Sequence, residues 1–161
     1  MSADRPTLAQ LRAVVQKRRH REIGNWPARR IARPLAVYGT WAAVRLGATA
    51  HQITTAALLA GLAGAAAIAT GERWGFVAGA AFLWVAFWLD HVDGQVARWR
   101  RSASLDGVYF DYLMHHAQNM AVGFALGFGL AVRTGRVGWA AAGFAIAAGW
   151  ALIGLHNDCR Y

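Results

Sequence analysis

Four long apolar blocks dominate the chain, and short stretches with charged residues or glycine separate them. The blocks occupy residues 51–70, 74–98, 107–132 and 137–155. Each block has about the 20 residues that a helix needs to cross the hydrocarbon core of a bilayer. The pattern therefore predicts an all-α, polytopic membrane helical bundle with about four transmembrane helices.

The first 47 residues follow a different pattern, in which apolar positions recur among many basic residues. Residues 1–22 carry one helical stripe of apolar side chains, formed by Leu8, Leu11, Val14 and Val15. Residues 28–47 form a second amphipathic stretch. Both stretches predict helices that lie at the membrane surface ahead of the first span. We therefore divide the chain into a basic interfacial segment, residues 1–47, and a membrane domain, residues 48–161.

The charge distribution gives the expected orientation. The net charge is +9, and ten of the seventeen lysines and arginines fall in residues 1–47. A basic segment before the first span is typical of the cytoplasmic side and of an anionic lipid surface, so nucleic-acid binding is not predicted. We expect a multi-pass protein of the cell (inner) membrane whose N terminus, 99–106 turn and C terminus are cytoplasmic. Arg133 and Arg136 fall on the opposite side.

Two targeting and redox features are also informative. The N-terminal basic region is too long, and the first apolar block too distant, for a cleavable signal peptide, so none is expected. The single cysteine, Cys159, excludes an internal disulfide and lies in no metal-ligand pattern.

One stretch of the membrane domain breaks the apolar pattern, because residues 90–115 hold four of the eight acidic residues of the chain. Ionisable side chains inside a span cost roughly 2.5–3.5 kcal/mol each on insertion scales and so mark a functional site by default. Asp90 and Asp93 are three residues apart and share one face of a helix. Asp111 and His115 are four apart and share a face of the next helix.

The four side chains are expected at matching depths. A basic cluster at the membrane surface ends the second block: Arg98, Arg100 and Arg101. At ~1.5 Å per residue, Asp93 lies roughly 7 Å and Asp90 roughly 12 Å below this cluster. The same count from Asp106 on the next helix gives about 7 Å for Asp111 and about 13 Å for His115. Two antiparallel helices joined by a short turn would therefore bring these side chains together.

Three carboxylates in a partly dry pocket repel one another unless a cation is present. Hard oxygen ligands indicate Mg²⁺ or Mn²⁺, so we predict a metal site formed by Asp90, Asp93, Asp111 and His115. The same set would also suit a divalent-cation transporter with a Zn²⁺ or Mn²⁺ site. A structural alternative is that the acids pair with the nearby arginines.

The spacing of these residues resembles the signature DxxDGxxAR…GxxxDxxxD of the CDP-alcohol phosphatidyltransferase family. Seven of its eight fixed positions match, namely Asp90, Asp93, Gly94, Ala97, Arg98, Gly107 and Asp111. The eighth position, a fourth aspartate in the family, is His115 here. The segment ATAHQIT, residues 48–54, is a weaker match to the family's TPNxxT entry to the first span.

The resemblance implies an integral membrane enzyme of phospholipid biosynthesis. Such enzymes transfer a phosphoalcohol group from a CDP-linked donor to an acceptor hydroxyl and release CMP, with two divalent metals at the pyrophosphate. The donor would be CDP-diacylglycerol or a CDP-linked small alcohol, and the chain would form a homodimer among membrane lipids. Members commonly have six spans, so we expect a compact or truncated member, or one whose acceptor pocket a partner chain completes.

The resemblance also implies roles for single residues. Arg98 would reach the donor's phosphates, for which a forked guanidinium is well suited. Three small residues, Gly94, Ala97 and Gly107, would leave room for the cytidine and ribose. The expected catalytic residues are Asp111 and His115. His91 and His116 adjoin motif residues and should face about 100° away, toward headgroups or a neighbouring helix.

His115 leaves several questions open. The family's fourth aspartate is associated with metal and is the presumed base that deprotonates the acceptor, and a histidine can do either job. Because the replacement removes one negative charge, the site could hold one metal or two. A degenerate, non-catalytic member that binds lipid or a partner is a further alternative.

Overall fold

The structure is a computed structural model that describes residues 6–15 and 25–158, with side chains described as far as residue 156. The described residues are almost entirely helical and contain no β-strand, which confirms the predicted all-α class. Residues 16–22 of the first predicted helix and Cys159 lie outside the described residues.

Six α-helices follow one another along the described chain. They are α1 (Leu8–Val15), α2 (Arg33–Arg45), α3 (Ala50–Ala69), α4 (Arg73–Arg100), α5 (Leu105–Thr134) and α6 (Gly138–Asp158). A π-helical turn, Ala28–Ala32, leads directly into α2, whose first turn contains Pro34. The amide of Arg33 bonds the carbonyl of Ala28, and Pro34 has no amide hydrogen to donate to this turn. The ends of α3 to α6 agree with the four predicted apolar blocks to within three residues.

Three of the described helices are long and apolar enough to cross a membrane, and they cover Ala50–Ala69, Arg73–Arg100 and Gly138–His156. The sequence predicted about four such helices. Helix α5 has the length but is not among the three. Polar residues in its N-terminal half lower its mean hydropathy, among them Asp111, His115, Gln118 and Asn119. Two of the residues that lower the hydropathy of α5, Asp111 and His115, are thus predicted site residues.

The turn between α4 and α5 has defined stop and start signals. The amide of Ser102 donates to the carbonyl of Ala97 at 3.0 Å, and the amide of Arg101 donates to Arg98 at 3.3 Å. This pair of bonds is a Schellman motif, and it places Arg101 at φ 51°, a left-handed conformation that usually belongs to glycine. Ser104 then caps α5, since its hydroxyl oxygen accepts the amide of Gly107 at 3.1 Å.

The chain forms two compact units. Unit 1 contains Met1–Ala57 and Ala86–Val108, and unit 2 contains Leu58–Val85 and Tyr109–Tyr161. The core of unit 1 joins α2, the start of α3 and the end of α4, and its buried residues are Ala36, Val44, Ile53, Val92 and Val96. Burial of each larger aliphatic side chain contributes roughly 1.5–3 kcal/mol. This core fixes the helix turns that carry the first half of the motif.

A buried polar pair crosses the core of unit 1. Thr40 of α2 and Gln95 of α4 are almost fully buried, and the Thr40 hydroxyl lies 2.9 Å from Oε1 of Gln95. The Gln95 amide nitrogen donates to the carbonyl of Arg33 at 3.2 Å. Because buried polar groups are costly without partners, these bonds fix the rotation of α4 against α2.

Unit 2 packs its helices closely through small residues. A Cβ added to Gly64 of α3 would lie 3.0 Å from the carbonyl oxygen of Gly79 on α4. Gly127 of α5 and Gly143 of α6 face each other so closely that a Cβ on either would collide with the other's backbone. Close approach at small residues is typical of helix packing in membranes, where van der Waals contact replaces the hydrophobic driving force.

Candidate active site

The first half of the motif occupies the last three turns of α4, where the helix changes from apolar to polar. Hydrogen bonds and packing within unit 1 determine the positions of these side chains. Asp93 is 7% exposed, whereas Asp90 is partly buried and Arg98 is half-buried. The helix thus has one carboxylate in the protein interior and a guanidinium near its end.

Asp93 is bound by a threonine from another helix. The hydroxyl of Thr54, on α3, donates a hydrogen bond of 2.7 Å to Oδ2 of Asp93. The Thr54 oxygen also lies 3.1 Å from the carbonyl of Ala50, one turn earlier in its own helix. A hydroxyl has one hydrogen to donate. The carboxylate is the stronger acceptor and lies at the shorter distance, so it receives this hydrogen. The bond therefore fixes the orientation of the carboxylate.

Asp90 lies beside a histidine of its own helix. Nδ1 of His91 is 3.4 Å from Oδ2 of Asp90 and 2.9 Å from the carbonyl oxygen of Phe87. The His91 ring also packs edge-on against the Phe87 ring, with centroids 4.8 Å apart. His91 is thus held within α4 by contacts one turn away, while its ring nitrogen flanks the motif carboxylate.

Arg98 is held from two sides. Its Nε–H donates to the carbonyl of Val15, the last residue of α1, at 2.7 Å. A Cβ added to Gly94 would lie 3.3 Å from Nη1 and 3.7 Å from Nη2 of Arg98. The missing side chain at Gly94 therefore makes room for the guanidinium. The sequence had assigned this room to the cytidine and ribose, an assignment that stays a prediction.

Gly107 lies in the first turn of α5, and its amide is bound by Ser104. A Cβ at this position would meet only Ser104 Oγ at 3.3 Å and His51 Cε1 at 3.9 Å among the described residues. Gly107 is therefore not a close helix-packing glycine. Ala97, one turn before the end of α4, is partly exposed.

The last two motif residues, Asp111 and His115, belong to unit 2. Nε2 of His115 lies 3.5 Å from Oδ1 of Asp111, as expected for residues four apart on α5. Both side chains are accessible, at 45% for His115 and 40% for Asp111. The next residue, His116, turns away and packs against Gly154 of α6. The imidazole and the carboxylate therefore form a pair that a ligand can reach.

The four predicted metal ligands have the donor atoms that a divalent metal requires. Asp90 and Asp93 offer carboxylate oxygens from α4, and Asp111 and His115 offer an oxygen and a nitrogen from α5. Hard oxygen donors with one imidazole fit Mg²⁺ or Mn²⁺. The structure brings Asp111 and His115 together within unit 2. Asp90 and Asp93 lie on the same helix in unit 1, and a site that joins all four residues stays a prediction.

Sequence reasoning missed two contacts of this site. Thr54 ends the segment that resembles the family's TPNxxT entry, so a weak signal for it existed. Val15 contacts Arg98 through its backbone carbonyl, 83 residues away in the chain, and no side-chain pattern encodes such a contact.

Comparison with known proteins agrees with this site. No curated protein sequence matches the chain. The sequence profile of the CDP-alcohol phosphatidyltransferase family matches residues 48–156, which are 109 of the 161 residues and include every motif position. Enzymes of this family transfer a phosphoalcohol group from a CDP-alcohol, depend on a divalent metal and are embedded in membranes. The chain belongs to the CDP-alcohol phosphatidyltransferase family.

Proposed function

We propose that this chain transfers a phosphoalcohol group from a CDP-linked donor to an acceptor hydroxyl, with CMP as the leaving group. The observation that carries the proposal is the buried carboxylate of Asp93, oriented by Thr54 on a helix apolar enough to span a membrane. A buried charge is costly in such a helix unless it serves a ligand or a partner. Arg98, one turn and a half further on, supplies the positive charge that a pyrophosphate requires.

Four side chains would hold a divalent metal, and they are Asp90, Asp93, Asp111 and His115. A bound Mg²⁺ or Mn²⁺ would neutralise the donor's pyrophosphate and polarise the phosphorus under attack. The hydrogen bond from Thr54 supports this role for Asp93, because ligating carboxylates are usually hydrogen-bonded on their outer side.

The proposed chemistry is a displacement at phosphorus. The acceptor oxygen forms a bond to the phosphorus of the phosphoalcohol group, and the bond from that phosphorus to the CMP oxygen breaks. When His115 acts as the base, the three carboxylates hold the metal and the imidazole takes the proton of the acceptor hydroxyl, a task for which it is suited. The carboxylate of Asp111, 3.5 Å from Nε2, supplies a negative charge beside the imidazolium that forms.

Donor recognition would rest on the end of α4 and the start of α5. The Nη groups of Arg98 would contact the phosphates as a fork, since Gly94 leaves the guanidinium room to lie along the helix. The open space around Ala97 and Gly107 would accept the cytidine and ribose. CDP-diacylglycerol and a CDP-linked small alcohol both satisfy this arrangement as donors.

The setting we propose is the cell (inner) membrane, with the N terminus and the site on the cytoplasmic side. The basic residues ahead of α3 support this orientation. The exposed apolar surfaces of α6, including Phe144, Leu152 and Ile153, suit contact with lipid or with a second copy in a homodimer.

The decisive experiment is metal-dependent CMP release by the purified protein in lipid, with CDP-diacylglycerol and a pool of candidate alcohols. We expect release that requires Mg²⁺ or Mn²⁺ and is abolished by Asp111→Ala. Asp106→Ala is the matched control, because Asp106 is an exposed acid on the same helix and outside the motif. Asp106→Ala should keep the activity.

The other outcomes separate the alternatives. CDP binding without release from either donor class would indicate a degenerate member that binds lipid or a partner. Metal flux into proteoliposomes without any nucleotide would indicate a cation transporter. Equal release by Asp111→Ala and the wild type would contradict the proposed site.

A further inference from the structure

The N-terminal helix α1 contacts the motif arginine through the backbone carbonyl of Val15. Nε of Arg98 donates to the oxygen of Val15 at 2.7 Å, in a partly buried position. A hydrogen bond donated by a guanidinium is charge-assisted and is stronger than one between neutral groups. This bond therefore holds the Arg98 guanidinium against α1.

Apolar packing holds α1 in place for this contact. Leu11 and Val15 are fully buried and pack against Val37 of α2. Three larger side chains surround this cluster, namely Leu8, Trp41 and Trp99. Trp99 follows Arg98 directly, so the apolar contact and the hydrogen bond involve the same turn of α4. Val14, in contrast, is 53% exposed.

The contact with α1 uses one edge of the guanidinium. An arginine has five N–H donors, and the bond to Val15 engages only Nε–H. The four N–H groups of Nη1 and Nη2 lie toward Gly94, where the absence of a side chain leaves them room. Two of them form the end-on fork that matches two oxygens of a phosphate. Asp93 and Arg33 lie close enough to act on Arg98 electrostatically.

We infer that α1 is a positioning element of the transferase site, because its Val15 carbonyl fixes the plane of the Arg98 guanidinium for two-point binding of the donor's pyrophosphate. The inference rests on the proposed function. In this arrangement α1 does not touch the substrate and acts only through Arg98. The basic interfacial segment thus contributes to catalysis as well as to membrane association.

The test compares three full-length variants in α1. Leu11→Asn places a polar group in the apolar contact and should release α1. Leu11→Met keeps the contact, and Val14→Asn makes the Asn change on the exposed face. We expect Leu11→Asn to raise the KM for the CDP-linked donor and the Kd for CDP with Mg²⁺ roughly tenfold, the effect of one hydrogen bond to a charged group. The kcat should change less, and the other two variants should match the wild type.

A second arm asks whether α1 acts through Arg98. Arg98→Lys removes the planar fork, so adding Leu11→Asn to it should raise the Kd for CDP no further. Hydrogen exchange of the amides of residues 8–15 gives a readout independent of turnover. Exchange should be faster in Arg98→Lys than in the wild type, because coupling between two sites is reciprocal.

Several results would overturn the inference. With a wild type that releases CMP, the inference fails if Leu11→Asn leaves the Kd for CDP unchanged. It also fails if Leu11→Asn raises the Kd tenfold in the Arg98→Lys background, or if Arg98→Lys leaves the exchange of residues 8–15 unchanged. A wild type that neither binds CDP nor releases CMP would instead refute the proposed function, and the inference with it. If Leu11→Asn does not fold, the exchange of residues 8–15 in Arg98→Lys tests the inference alone.

Discussion

The hydroxyl of Thr54 and the carboxylate of Asp93 form a 2.7 Å hydrogen bond between α3 and α4. Both residues are buried, with Thr54 at 8% and Asp93 at 7% exposure. The bond takes up one lone pair of Oδ2 and restricts rotation of the carboxylate. Because a metal site depends on the orientation of its ligands, Thr54 belongs to the proposed site although it would not contact the metal itself.

Thr54→Val should weaken metal binding, since valine keeps the shape of threonine and removes the donor. We expect a 10–100-fold loss of Mn²⁺ affinity or of activity at limiting metal, the usual effect of losing such a supporting bond. The matched control is Thr55→Val. Thr55 is exposed, and its hydroxyl bonds only the carbonyl of His51 in its own helix among the contacts described. Titration of Mn²⁺ into both variants measures the difference, and equal affinities would show that Thr54 has no such role.

His115→Asp restores the family's residue and should retain or raise metal-dependent CMP release. The aspartate returns the negative charge and the oxygen ligand next to Asp111, and it can also accept a proton. His115→Ala removes both functions and should lower kcat by about 10²–10⁴-fold, the range for loss of a general base. The kcat of CMP release from the three proteins, measured over a series of Mg²⁺ concentrations, checks this prediction.

The comparison of the two variants separates the roles of His115. If His115→Asp needs less Mg²⁺ for half-maximal rate than the wild type, the position acts as a metal ligand. An inactive His115→Asp beside a fully active His115→Ala would contradict both roles.

Gly39→Ala should destabilise unit 1. A Cβ at Gly39 of α2 would lie 2.6 Å from Cζ2 of Trp88 and 2.9 Å from Cγ2 of Val92, both on α4. Overpacking of this kind costs about 1–3 kcal/mol. Gly149→Ala in α6 is the control, because no described atom lies within 4 Å of its added Cβ. Thermal unfolding in lipid nanodiscs should show a lower Tm for Gly39→Ala, and an unchanged or higher Tm for Gly149→Ala. A Tm of Gly39→Ala equal to that of the wild type would mean that the two helices can separate without cost.

The helices were predictable from the sequence because long apolar runs end at recognisable signals. Gly71 and Gly135 follow α3 and α5 with positive φ, as expected for residues that end helices. The third predicted span was the least regular, because α5 combines polar site residues with an apolar C-terminal half. The motif spacing predicted the pairing of Asp111 with His115, since residues four apart meet on one helix face.

The supporting contacts of the site were not predictable in the same way. A threonine inside a helix usually bonds a carbonyl one turn back, as Thr55 does, so the weak match of residues 48–54 was the only signal for Thr54 and did not indicate its bond to Asp93. The use of Gly94 was also hidden, because a glycine beside a motif acid could admit a ligand or a side chain. The structure shows the Arg98 guanidinium beside this glycine, and the admission of a ligand there stays a prediction.

The Schellman turn at Arg101 gives a physical meaning to the number of residues between the two halves of the motif. Eight residues separate Arg98 from Gly107. They comprise the end of α4, the left-handed Arg101, a short connection, the capping Ser104 and the first residues of α5. The length of this gap therefore equals what a chain needs to end one helix and begin the next. The spacing between the two halves of the signature therefore matches a helix end and a helix start, and a nucleotide bound there would meet a geometry that the backbone has already determined.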